Sequence, residues 1–300
     1  MELINNTLDA RKEIEACIKA NGFAPEHNFG YYQWLEESGR ENVFLKFAGK
    51  TGILAQQNEK LKVWYFISHP IAREQESLKT LVEAVDCILS SGAKKINLET
   101  APELKRQLAM ALKGRFRVGS NNFAYYWPVF DMKSWDGCEL KGKKWKKIRN
   151  IRNRFYKSHN VVVKDPRGMD ASKLKDVVSQ WVKKRTNIDR PFYQRYFNMI
   201  KNNFDGVLFA RTMVVNKEPC SITAGWRIPN SNNYYSGIGI YNYKFKDIGE
   251  IANLDDLFFL KKKNFDKVDF GGSGKNLLHF KKKFRPTSIY KTYSFPVFRK

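Results

Sequence analysis

One order of elements occurs twice in this chain, and it limits the folds open to it. The first pass spans residues 8–130. Ile14, Cys17 and Ile18 share one helical face, and Asn21-Gly22 supplies the stop. Residues 31–37 read as a short helix. Strands over 43–47, 53–56 and 61–68, with Lys50-Thr51-Gly52 as a turn, predict an antiparallel meander. Leu78, Leu81, Val82, Val85, Ile88 and Leu89 fall at helical spacing over 74–90 and close on Gly92. A strand over 94–98, a helix over 102–112 with proline at its start, and an aromatic strand over 116–130 complete the pass.

The second pass begins with a helix over 143–157. A strand over 161–164, a helix from Asp170 and a helix over 191–200 follow. Three strands come next, over 207–215, 221–228 and 234–241. Ile251, Leu254, Leu257, Phe258 and Leu260 predict a helix over 249–262. The strand Val268–Phe270 runs into the turn Gly271-Gly272-Ser273-Gly274 and a short helix, and residues 288–297 form a closing strand. The expected class is α/β (α+β), each half a mixed sheet flanked by helices. Polar residues and a glycine over 131–137 place the boundary, giving domains 1–133 and 134–300.

Charge divides the chain at the same place. Residues 1–133 carry 18 Lys and Arg against 16 Asp and Glu, and residues 134–300 carry 36 against 14, so nearly all of the net +24 lies in the second half. A polyanion, nucleic acid or an anionic surface, is the expected partner of that half. Its densest stretch is the helix over 143–157. Trp145, Ile148, Ile151 and Phe155 make an apolar stripe, ringed by Lys143, Lys144, Lys146, Lys147, Arg149, Arg152, Arg154 and Lys157. A helix with a wholly cationic exposed face repels itself, which favours a neutralising partner over a merely solvated face.

Other classes are disfavoured. No run of eighteen apolar residues occurs and the first residues are polar and acidic, so neither a membrane-spanning helix nor a secretory leader is expected, and the location reads as cytoplasmic. Cys17, Cys87, Cys138 and Cys220 lack metal-binding spacing, and His27, His69, His159 and His279 fall near none of them, so no metal is expected.

The stretch VDFGGSGKNLLHFKKKFRP, residues 268–286, carries the most chemistry. A strand ending in glycines ahead of a helix leaves backbone N–H groups free, and lysines beside them suit an oxyanion or phosphate. This stretch resembles the DFGG…FKKGFG signature of the Fem-type transferases, and LKGKKWKKIRNIRNRF resembles the basic helix of the C-terminal region of phosphatidylglycerol lysyltransferases. Both belong to one superfamily of tandem GNAT-fold transferases that use aminoacyl-tRNA, and the match is best over 139–300.

The resemblance implies two tandem GNAT-like acyltransferase domains, with an amino acid moved from charged tRNA to an amine or hydroxyl acceptor. Phe280 and Lys281 match the family's Phe-Lys pair, with the lysine near the reacting carbonyl. Asp269, Gly271 and Gly272 match the turn ahead of it. Lys147, Arg149 and Arg152 stand where the phosphate-bearing substrate is met. Two departures are Lys283 and Arg285, where the signature has glycines. The lysyltransferases carry a large membrane portion that is not read in this sequence, so the resemblance does not imply a lipid acceptor; no stable membrane insertion is expected, and any contact with a membrane would be peripheral.

The expected partners are therefore tRNA and an anionic acceptor, with aminoacyl-tRNA as co-substrate and no bound cofactor. Transfer from an activated ester needs chiefly positioning and a stabilised oxyanion, a task suited to Lys281. Asp269, Glu250, Asp255 and Asp256 are the candidate general bases. Acetyl-CoA is the alternative donor, weakened because residues 244–253 hold only Gly249 where a CoA loop needs several glycines. A non-catalytic protein that binds tRNA or an anionic surface on the same fold is the third reading.

Overall fold

The fold is given by a computed structural model that describes residues 1–185 and 193–299. In chain order its elements are β1 (Glu2–Ile4), α1 (Arg11–Asn21), α2 (Phe29–Trp34), β2 (Glu41–Phe47), β3 (Thr51–Asn58), β4 (Val63–Phe66), α3 (Glu74–Ser90), β5 (Lys95–Thr100), α4 (Pro102–Ala111), β6 (Phe116–Val118) and β7 (Phe123–Asp131). Then come α5 (Lys146–Ser158), β8 (Val161–Lys164), α6 (Ala171–Lys183), α7 (Gln194–Lys201), β9 (Phe209–Val215), β10 (Glu218–Pro219), β11 (Ser221–Arg227) and β12 (Tyr234–Tyr241). The last are α8 (Ile248–Lys262), β13 (Lys267–Asp269), α9 (Lys275–Lys281) and β14 (Ser288–Arg299). Of the helix expected over 191–200, Pro191 and Phe192 lie outside the described residues.

All the strands join one mixed sheet, ordered β1-β2-β3-β4-β5-β14-β7-β13-β12-β11-β9-β10, with β6 beside β14 and β8 beside β9. The expected meander is β2, β3 and β4, paired antiparallel. Among the described residues only β4–β5 and β12–β13 are parallel pairs. The expected closing strand sits elsewhere than its place in the second pass suggests. β14 lies between β5 and β7, opposing Tyr293 to Thr100 and Tyr290 to Trp127. Its Phe295 and Val297, both fully buried, fill a core made with β2–β6, α3 and α4. Burial of these two side chains offsets the entropy of bringing the end of the chain back to its middle.

Helices cover both faces of the sheet. Along β2 and β3, Val43, Leu45, Ile53 and Ala55 point to the core under α3 and α4. Phe44 and Leu54 point to a second core that contains Ile14, Cys17 and Tyr32 of α1 and α2. Both strand faces are therefore apolar, as central strands require. Farther along the sheet, Trp145 and the α5 stripe Ile148, Ile151 and Phe155 pack with α8, as the sequence predicts. α6 and α7 cover the opposite face with Leu174, Val178, Trp181, Tyr196 and Ile200. The remaining side chains of α5, apart from half-buried Arg149, are left at the surface. No helix among the described residues is long and apolar enough to cross a membrane.

Candidate active site

The short strand β13 ends at Asp269, and the backbone then turns through Gly271 at φ +75°. That conformation suits glycine. At Gly272 a Cβ would meet the Trp127 ring at 3.0 Å, so this position too must stay small for the turn to lie on β7. Part of the expected set of free amides is already taken, those of Gly271 and Ser273 with that of Phe270 before them. The N–H of Phe270 donates to Pro128 O, that of Gly271 to Asp269 Oδ1 at 2.7 Å, and that of Ser273 to Tyr126 O. Short backbone bonds to β7 and one side chain take them, because the turn is stitched to its neighbouring strand.

Asp269 is 5% exposed. Its second oxygen accepts from the Tyr290 hydroxyl at 2.7 Å. Burial pushes the carboxyl up to about 6, restrained by these two hydrogen bonds and by the Lys281 charge. Lys281 turns its ammonium back onto the carbonyls of Phe270 and Gly271, the latter at 3.2 Å. Burial pulls it down to about 8, and Asp269 opposes that fall. Phe280 packs edge-on against Phe284 at 5.6 Å, joining the short helix to the turn that follows it.

From Asp269 a connected set of side chains leads into the centre of the sheet. The Tyr290 ring stacks on Trp127, 5.4 Å between centroids and 10° apart in plane. The indole N–H of Trp127 donates to Thr292 Oγ1 at 2.8 Å, and Thr292 donates to Glu99. Tyr290, Trp127, Thr292 and Glu99 line a cavity of about 220 Å³, together with Glu26 and the backbone around His69. A second cavity of about 260 Å³ shares Glu99 and Ile67 with the first and is lined further by Tyr31, Tyr125 and Arg195. The two cavities therefore adjoin at these residues, as the two chambers of a cleft.

Glu26 is half-buried and lies in the loop between α1 and α2. Desolvation, then the charges of Glu99 and Asp269, push its carboxyl up to about 8. Burial also raises Glu99. The loop is held by His27, which is 1% exposed. Its Nδ1 accepts from the N–H groups of Phe23 and Ala24 at 3.0 and 3.2 Å, which places the ring proton on Nε2 for donation to His69 O at 2.8 Å. His27 thus joins two cavity walls, and burial lowers it to about 4.

The other candidate bases are committed elsewhere. Glu250 pairs with Lys283 at 2.8 Å. Asp255 and Asp256 both bind Arg211, at 2.6 and 2.7 Å, and Thr223 donates to Asp256. Arg149 folds onto the carbonyls of Leu140 and Gly142, Arg152 lies over the Tyr156 ring at 5.4 Å, and Lys147 is exposed on α5. These three stand on α5, whereas Asp269, Gly271, Gly272 and Lys281 meet at the turn after β13. None of these four lines either cavity, and Asp269 reaches the first cavity's wall through Tyr290. Sequence reading missed Glu26, Glu99, Tyr290 and Arg195. Each stands alone in its stretch, and only Glu99 and Tyr290 sat in predicted or flanking strands. Among the described residues, no grouping of His, Cys, Asp and Glu could hold a metal ion.

A family model described as the C-terminal region of phosphatidylglycerol lysyltransferase matches residues 24–236. The chain belongs to the phosphatidylglycerol lysyltransferase C-terminal family. The chain shares the fold described above with several solved structures. A conserved protein of Bacteroides thetaiotaomicron aligns over 100% of both chains at 14% identity, with a TM-score of 0.68. L-PGS of Bacillus licheniformis aligns over 96% of this chain and 91% of its own, at 15% identity and a TM-score of 0.66. FemX aligns over 98% and 97%, at 12% identity and 0.63. With a tandem GNAT protein of clavulanic acid biosynthesis, aligned over 99% of this chain and 98% of its own at 9% identity and a TM-score of 0.56, these likenesses establish the GNAT-like fold. Among curated proteins, none matches the sequence. The family match begins at Ala24, two residues before Glu26, and takes in Glu99, Trp127 and Arg195.

Proposed function

We propose that this chain transfers an aminoacyl group from charged tRNA to a hydroxyl or amine acceptor in the two-chambered cleft. The observation that carries the reading is the meeting of Glu26, Glu99 and Tyr290 at one cavity, with Tyr290 bonded through its hydroxyl to Asp269 of the Lys281 turn. In the step proposed, the acceptor attacks the ester carbonyl, the new C–O or C–N bond forms, and the bond to the ribose oxygen breaks. Glu26 takes the acceptor's proton and returns it to the departing ribose oxygen. A carboxyl near 8 suits both halves of that exchange at neutral pH. Glu99 and Asp269 supply negative potential for the α-ammonium of the aminoacyl group. Lys281 retains one N–H beyond its two carbonyl partners, and in this reading its charge serves the developing oxyanion from behind the turn.

The exposed cations of α5 and the turn before it, Lys143, Lys146, Lys147, Arg152 and Lys157, form the surface proposed for tRNA phosphates. The test is transfer of a labelled amino acid from a pool of charged tRNAs into an acceptor extract. Glu26→Gln should abolish the transfer while charged tRNA still binds. Absence of transfer from every charged tRNA by the wild-type chain would remove the reading.

A further inference from the structure

Arg195 opens a question that the reaction above does not use. Its Nη2 donates to the Tyr196 hydroxyl at 2.7 Å, and its guanidinium lies 4.8 Å over that ring. Its Nε is buried and has no hydrogen-bond partner among the described residues. No carboxylate pairs with it there either. The other arginine of the second chamber, Arg40, is held 3.0 Å from Glu37 and lies 4.1 Å over Tyr65. A buried guanidinium is ordinarily paired, and an orphaned N–H costs the desolvation it has suffered. Arg195 is therefore an incomplete arrangement at the wall of a cavity of about 260 Å³. An anion in that cavity that reached the Nε–H together with a neighbouring Nη–H would be held by a two-pronged donor. The chamber is too small for a polynucleotide, so the tRNA backbone is not that anion.

We propose that Arg195 is the receptor for an anionic group, a carboxylate or a phosphate, on the small acceptor, whose nucleophile reaches past Glu99 into the chamber of Glu26. This rests on the transferase reading for the word acceptor, although the anion site can be tested without it. Carboxylates at the second chamber do not cancel the site. Glu37 is taken by Arg40, Glu36 is exposed at the rim, and Glu99 accepts from Thr292.

The full chain is titrated calorimetrically with two pairs of probes, the dipeptide Ala-Ala against its C-terminal amide, and glycerol 3-phosphate against glycerol. One anionic member should bind about ten-fold or more tightly than its neutral counterpart. The dipeptide as that member assigns a carboxylate, and glycerol 3-phosphate assigns a phosphate. Arg195→Gln should erase the preference. Should that variant fail to fold, Arg195→Lys keeps the charge without the fork, and a preference cut several-fold supports the site. No preference in the wild type, or one that survives both substitutions, overturns it. Transfer with no anion preference removes this site alone, and an anion preference without transfer removes only the reaction.

Discussion

Tyr290 reaches from β14 over β7 to donate its hydroxyl proton to Asp269 at 2.7 Å. It links the last strand of the chain to the glycine turn with one charge-assisted hydrogen bond. Tyr290→Phe keeps the stack on Trp127 and removes only that donor. A hydrogen bond to the ionised form lowers a carboxyl's pKa, so its loss should raise Asp269 above its value of about 6. The acid limb of kcat/KM against pH should move to higher pH, with turnover reduced about ten- to a hundred-fold. An unmoved limb would exclude Asp269 from the reaction.

Glu26→Gln separates stability from activity. Glu26 is pushed from 4.5 up to about 8 by burial and its carboxylate neighbours. A carboxyl raised in the folded state contributes stability below its unfolded pKa, and that contribution is lost as pH rises through the folded value. The variant should match the wild type near pH 4 and be the more stable of the two at pH 8 and above, by denaturant unfolding, while losing transfer. Removing a strained functional group commonly has this double effect.

Lys281→Met tests the buried ammonium. Because its folded value of about 8 lies below the 10.5 of a free lysine, the unfolded chain binds more protons between those two pH values. Wild-type stability gains a rising component over that interval, and the variant should lack it. At pH 7 the variant also leaves the Phe270 and Gly271 carbonyls without their donor, at a cost of about 1–3 kcal/mol. Urea unfolding at pH 7 and pH 10 measures both, and the deficit should be larger at pH 10.

Arg285→Gly should stabilise the chain. Arg285 stands at φ +58° and ψ +63°, the left-handed region, at the end of the short turn Lys282–Phe284. A residue with a Cβ pays about 1–2 kcal/mol there, part of which glycine returns as unfolded-state entropy. The expected net gain is about 0.5–1 kcal/mol in the same unfolding assay. Lys283→Gly should do the reverse, since its pair with Glu250 ties the turn Lys282–Phe284 to α8.

What could be read from the sequence was local. The stripe Trp145, Ile148, Ile151 and Phe155 carries its own period, and all four are buried as that period requires. The meander and the helices of both passes were legible for the same reason. The place of β14 was not, because pairing with β5 is decided by two buried side chains, Phe295 and Val297, meeting a core nearly two hundred residues away. Glu26 sits in a loop without periodicity, and its importance comes from Glu99 and Asp269, which approach it only after folding. The glycine turn was legible as a turn, but the partners of its amides, Pro128, Tyr126 and the Asp269 side chain, belong to tertiary structure.

The insertion of β14 also sets a timetable. Thr292 bonds to Glu99 across 193 positions, and Tyr290 meets Trp127 and Asp269 through the same strand. Contacts of such separation form slowly, since the intervening chain must be closed into a loop before the contact is made. During synthesis β5 and β7 leave the ribosome long before the strand that belongs between them. The cleft is therefore absent from the nascent chain, and a product that stops short of β14 would expose two unpaired strand edges in place of a site.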